Sequence, residues 1–175
     1  MTTKKENILS TALELFAQEG FKATSTSKLA AQAGVSEGLI FRHFRNKEGL
    51  LKALMDQGEE RLTHIFADII SERDPQQVIN KMFSAIKAIA TDPEQSHFWK
   101  LQYKLKWETE TYDDLKMEPI RVALTTAFQK LGYTHPEKEA QLILILIDGL
   151  VTKLFLSQNF DIVETVNILI EKYKE

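Results

Sequence analysis

Residues 24–47 of the 175-residue chain concentrate groups suited to gripping a polyanion. Thr24, Ser25, Thr26 and Ser27 set four hydroxyls in succession where a helix is expected to begin. The free backbone N–H groups of such a terminus attract phosphate. Lys28, Arg45 and Lys47 add positive charge that fixes position on a duplex without reading it. Between them, "VSEGLIFRHF" has the make-up of a reading surface: with Leu39, Ile40 and Phe44 turned inward, Ser36, Glu37, Gly38, Phe41, Arg42 and His43 face outward. Arg42 is the best placed for a base contact, since a guanidinium pairs bidentately with O6 and N7 of guanine. Gly38 leaves room for close approach. Two plainer readings stand beside this one: the hydroxyls would serve equally as helix caps, and Arg42, His43 and Lys47 as a solvated face.

Other chemistries find less support. The chain has no Cys, which excludes disulfides, thiol nucleophiles and Cys-ligated zinc. Glu60, His64 and Asp68 recur at steps of four and could face one metal ion, but they oppose the apolar stripe of their own helix, and a solvated charged face is the preferred reading. His43, His97 and His135 complete no ligand cluster, and neither a Gly-rich phosphate loop nor a nucleophile elbow occurs. No metal, no cofactor and no enzymatic activity are expected.

The formal net charge of −3 conceals an asymmetry. Residues 1–53 hold eight Lys or Arg against five Glu, a net of +3, which leaves −6 on the other 122. A basic head on an acidic body suits a protein of which only the head meets a polyanion. The N-terminal residues form no continuous apolar run, and the longest apolar stretch is interrupted by Asp148 and Lys153, so a cytoplasmic protein without a membrane partner is expected.

The elements that must hold these groups read as all-α. Thr3 and Glu6 have capping-box spacing, and Ile8, Leu9, Ala12, Leu13 and Phe16 recur at helical intervals up to Gly20, expected as a left-handed cap. Thr24 or Ser25 opens a short second helix, Gly34 permits a tight turn, Ser36 opens a third helix to Phe44, and Asn46 caps a long fourth. Two short helices joined at a glycine turn form the helix-turn-helix pattern. Asp74-Pro75 and Asp92-Pro93 start two more helices, and Pro119 starts another. "TETYDD" is a polar connection. The last two helices run near 136–157 and 161–173, about nine in all.

In the body, Trp99, Tyr103 and Trp107 recur every four residues, and Met82, Phe83 and Phe128 could join them around a small-molecule pocket. Plain core is the alternative reading. "LILILI", residues 142–147, is apolar all round but too long with its flanks for a strand, so it is expected to be a helix that needs cover on every side, in part from a second subunit. The residues assigned to that contact are Leu142, Leu146, Gly149, Leu150, Phe155, Val166, Leu169, Ile170 and Tyr173, as an intersubunit four-helix bundle.

"LFAQEGFKATSTSKLAAQAGVSEGLIFRHFRNKEGLLKAL" resembles the N-terminal domain of the tetracycline-repressor (TetR/AcrR) family of bacterial transcriptional regulators, over about residues 4–54. The resemblance implies a three-helix DNA-binding head, residues 1–47, and a ligand-binding and dimerisation body, residues 48–175. It implies phosphate contacts at Thr24, Ser25, His43 and Lys47 and groove contacts at Ser36, Glu37, Gly38, Phe41 and Arg42. It implies a homodimer on a palindromic double-stranded operator, answering to a small-molecule effector. Three positions depart from the pattern: Phe41 stands where Tyr is common, Glu37 where a basic residue is frequent, and Leu39 where Thr is usual. Glu37 and Phe41 leave room for the alternative, a helical small-molecule-binding protein or enzyme whose head no longer binds DNA.

Overall fold

The computed structural model describes residues 3–110, 114–157 and 159–174. Among them it has nine α-helices and no strand: α1 (Lys4–Glu19), α2 (Thr26–Ala33), α3 (Glu37–Phe44), α4 (Lys47–Ile70), α5 (Pro75–Thr91), α6 (Pro93–Thr109), α7 (Glu118–Lys130), α8 (Pro136–Leu156) and α9 (Ile162–Lys172), with a 3-10 turn over Asp114–Met117. Residues 111–113 of the polar connection lie outside the described residues.

Local signals account for most boundaries. The Thr3 hydroxyl accepts from the Glu6 amide and the Glu6 carboxylate accepts from the Thr3 amide, which closes the capping box at α1. Asp74 accepts from the amides of Gln76 and Gln77 at α5, and Asn46 accepts from the Gly49 amide at 2.7 Å in the first turn of α4. Gly34 takes the left-handed conformation, φ 63° and ψ 37°, that the turn after α2 requires. Gly20 differs from expectation. Its φ of 95° suits glycine, but its ψ of 153° lies outside the left-handed helical region, so the chain leaves α1 extended.

Contacts group the chain into two compact units, residues 1–62 with 93–110, and residues 63–92 with 111–175. A cut after residue 47 does not separate them. In the first unit Phe16, Leu29, Ile40 and Leu50 are fully buried together with Leu101, and Phe98 of α6 joins the same core. Lys104 of α6 donates to the Gln18 carbonyl at 2.8 Å. It thereby serves the last turn of α1, which has no basic residue of its own. Burial, with Lys100 nearby, pushes the Lys104 ammonium below the usual lysine range.

Also in this unit, a Cβ on Gly58 would lie 1.8 Å from Cε2 of Phe98, far inside contact distance. Gly58→Ala is therefore expected to lower stability by about 1–3 kcal/mol through overpacking. The check is the thermal midpoint of the variant against that of the unaltered chain.

The second unit is built on Ile79, Phe83 and Ile86 of α5, Leu124 and Phe128 of α7, Ile143 and Val151 of α8, and Val166 of α9, all buried. Tyr173 packs its ring 5.9 Å from Phe83 and 5.8 Å from Phe128. The 142–147 segment is helical throughout, as its length demands.

Candidate nucleic-acid interface

Helices α2 and α3 meet through the Gly34 turn, and their inward residues Leu29, Ala30, Ile40 and Phe44 lock them onto α1. That packing fixes which side of α3 is outward. Ser36, Gly38, Phe41, Arg42 and His43 are exposed, and Phe41 keeps 42 % of its surface in solvent. Arg42 and the exposed Arg45 enter no ion pair among the described residues. Two guanidinium groups thus stand unneutralised at the end of α3.

The link from α3 to α4 is unusually tight. Arg45 has φ 69° and ψ −46°, and the Asn46 amide donates to the Phe44 carbonyl at 2.9 Å. This is a γ-turn of the rarer, positive-φ kind, which costs a non-glycine residue about 1–3 kcal/mol. It sets the Arg45 side chain at the corner where the reading helix stops.

Four expected contacts are placed differently from the sequence reading. Thr24 is fully buried and its hydroxyl donates to the Gly20 carbonyl at 2.9 Å, so its side chain is withdrawn from the surface that the phosphate assignment needs. Lys47 is half-buried; its ammonium donates to the carbonyls of Phe21 at 3.0 Å and Thr24 at 3.1 Å and lies 4.5 Å from the Phe21 ring centre. It pins the α1–α2 loop first, with one N–H left for a phosphate. Thr26 donates to the Glu37 carboxylate, which ties the starts of α2 and α3 together and directs that negative charge at the α2 N-terminus. Lys28 pairs with Glu19 at 2.5 Å. Ser25, exposed, accepts from the Lys28 amide at 3.1 Å as the cap of α2. Ser36 occupies the cap position of α3 without a cap hydrogen bond.

Residues 8–54, which span all of this geometry except the first turn of α1, match the family described as bacterial regulatory proteins, tetR family. Over those residues the chain is similar to the tetR family. It is 33 % identical over 89 residues to an uncharacterised HTH-type transcriptional regulator of Bacillus subtilis, YerO, an alignment that covers 49 % of this chain and 30 % of YerO. The chain thus spans about a third of the length of the first curated relatives it matches. It is 27 % identical over 158 residues to the probable acrEF/envCD operon repressor of Escherichia coli, covering 83 % of this chain and 71 % of that repressor. Its fold is shared with the TetR-family regulator PfmR of Thermus thermophilus, with a TM-score of 0.74 at 18 % identity over 99 % of this chain and 96 % of that one.

The residues expected to line a ligand pocket fall in both compact units. Met82, Phe83 and Phe128 are buried in the core of the second unit. In the first unit Trp99 packs partly buried against the core, Tyr103 carries the Lys106 ammonium 5.2 Å from its ring, and Trp107 is 73 % exposed. A cleft in the second unit, between the end of α4, the start of α5 and α7, is lined by none of these six. Asp68 pairs with Lys81 at 2.9 Å, and among the described residues no three His, Asp or Glu side chains gather as a metal site.

The residues assigned to a subunit contact divide in two. Leu150, Val166 and Tyr173 are buried inside the second unit and serve its own core. Phe155, Leu169 and Ile170 are half-buried. Leu142, Leu146 and Gly149 are exposed, and with Ile145, 60 % exposed, they form one apolar stripe along α8. Ile145 was legible in the sequence, since 142, 145, 146 and 149 follow the i, i+3, i+4, i+7 rule. Val163 and Ile168 of α9 are exposed as well. No helix among the described residues is long and apolar enough to cross a membrane.

Proposed function

We propose that this chain is a ligand-responsive transcriptional regulator, a repressor, that binds a palindromic operator as a homodimer, with residues 1–47 reading DNA and residues 48–175 carrying the effector and dimer contacts. The observation that carries the reading is the outward face of α3, where Gly38, Phe41 and Arg42 are exposed and Arg42 and Arg45 have no ion-pair partner among the described residues. In the groove, Arg42 pairs with a guanine edge, Gly38 permits close approach, and Phe41 packs on sugar or a thymine methyl. Ser25, Ser36, His43 and the remaining N–H of Lys47 hold phosphates. Two such heads, set by a dimer, address two half-sites one helical turn apart. A ligand that favours one head separation shifts the operator-competent population.

The test is fluorescence anisotropy with duplex DNA from upstream of the chain's own reading frame, at several salt concentrations. Specific binding whose affinity falls linearly in log–log with salt is expected. Binding that is absent, or indifferent to salt, would leave the alternative of a helical ligand-binding protein with a silent head.

Glu37 offers a second check. Its carboxylate repels a duplex while its bond from Thr26 needs only an acceptor oxygen, which Gln also supplies. Glu37→Gln is therefore expected to tighten binding to any duplex by about 1 kcal/mol at low salt. A loss confined to one base pair of the operator would instead assign Glu37 to a cytosine amino group.

A further inference from the structure

The cleft of the second unit has a volume of about 260 Å³, near the small end of the roughly 300–1,000 Å³ range of ligand sites. Its walls are mainly apolar, with Ile70, Val78, Val122 and Ala127 among them. Ile70 and Val122 leave 45 % and 51 % of their surface in solvent, so the concavity is bordered by apolar area that the fold itself leaves uncovered.

The polar groups of the lining are unbalanced. Arg73 and Lys130 are both exposed and neither meets a carboxylate among the described residues. Glu72, the acidic residue of the lining, is already engaged. Its carboxylate lies 3.0 Å from the Lys81 ammonium and accepts from the amides of Arg73 at 2.8 Å and Asp74 at 3.1 Å. These bonds, that of Lys81 foremost, hold its pKa at about 2. Lys81 is shared by Glu72 and Asp68 and cancels one of their two charges, while Arg73 and Lys130 stand without carboxylate partners of their own among the described residues, beside an apolar wall.

We infer that this cleft binds a small amphiphilic monoanion, a carboxylate on a short aliphatic or aromatic body, with the acid held by Arg73 and Lys130 and the body laid against Val78, Val122 and Ala127. A guanidinium and an ammonium can each donate to one carboxylate, and charge-assisted bonds of this kind are about twice as strong as neutral ones. A chain of about eight carbons is of a size to cover the apolar wall. The inference deepens the ligand-responsive reading by naming the chemistry of an effector, but its test does not need DNA.

Calorimetric titration of the full chain with octanoate, octan-1-ol and octylammonium separates the contributions. Octanoate is expected to bind once per chain and at least about tenfold more tightly than either analogue. Arg73→Gln with Lys130→Gln is expected to cost octanoate about tenfold or more and to leave octan-1-ol unchanged, while Arg73→Lys keeps most of the affinity; both positions are at the surface, so the variants should fold. Ala123→Phe, which fills the cleft, should remove binding of both octanoate and octan-1-ol. Absence of octanoate binding up to about 10 mM, or equal binding by wild type and the double charge variant, overturns the site. Operator binding, measured separately by anisotropy, reports on the regulatory reading: intact operator binding with no octanoate binding defeats the site alone, and the reverse defeats the regulator alone.

Discussion

Arg42→Ala is expected to weaken operator binding by about 1–3 kcal/mol and to relax the requirement for one base pair in each half-site. The side chain is exposed on α3 and pairs with no carboxylate among the described residues, so its removal should leave the thermal midpoint unchanged. That separation makes the variant informative: a loss of affinity cannot be blamed on the head coming apart. Binding measured against the operator and against single-base variants of it tells the two roles of an arginine apart. A uniform loss across sequences, with a salt slope smaller by about one, would make Arg42 a phosphate anchor instead. Unaltered binding would move the reading surface elsewhere. Lys47→Ala would be a poorer probe, because Lys47 also ties down the carbonyls of Phe21 and Thr24.

Ile145→Glu is expected to have the largest effect of all. The residue sits mid-stripe on α8 between Leu142, Leu146 and Gly149, exposed in the chain and so buried only if a second copy covers it. A carboxylate placed there would have to be desolvated without a partner, which a subunit contact does not tolerate. Sedimentation should show a monomer. Operator affinity should then fall by about 10²–10⁴, the gain that two linked heads have over one. A variant that stays dimeric and binds normally would show that copies of the chain meet through another face, such as one centred on Ile168.

The order and limits of the helices were legible because short-range chemistry decides them. Thr3 with Glu6, Ser25, Asn46 and Asp74 each satisfy amides within three residues, and a reader of sequence sees both partners at once. The outward face of α3 was legible for a similar reason: Ile40 and Phe44 are four apart and mark the inner side.

What escaped the sequence depends on where a side chain turns once the chain has closed on itself. Thr24 reads as a surface hydroxyl until the Gly20 carbonyl is found within its reach. Lys47 reads as a free cation until the α1–α2 loop folds over it. Thr26 and Glu37 are eleven residues apart, and nothing in composition couples them. Leu150, Val166 and Tyr173 could not be told from Leu142 and Leu146, because a helix apolar on all sides carries no mark of which side its own domain will use. The allegiance of α6 is the plainest case, since Lys104 reaches a carbonyl 86 residues earlier.

That allegiance limits how this protein can be cut and recombined. The first compact unit is assembled from two stretches of chain with α5 threaded between them, so it is not a cassette with a single seam. A graft that transfers residues 1–62 alone onto another body would arrive without Phe98 and Leu101, and its new host would have to supply equivalents. Lineages that exchange heads and bodies must therefore do so with matched sixth helices, or accept a head whose interior is open to water.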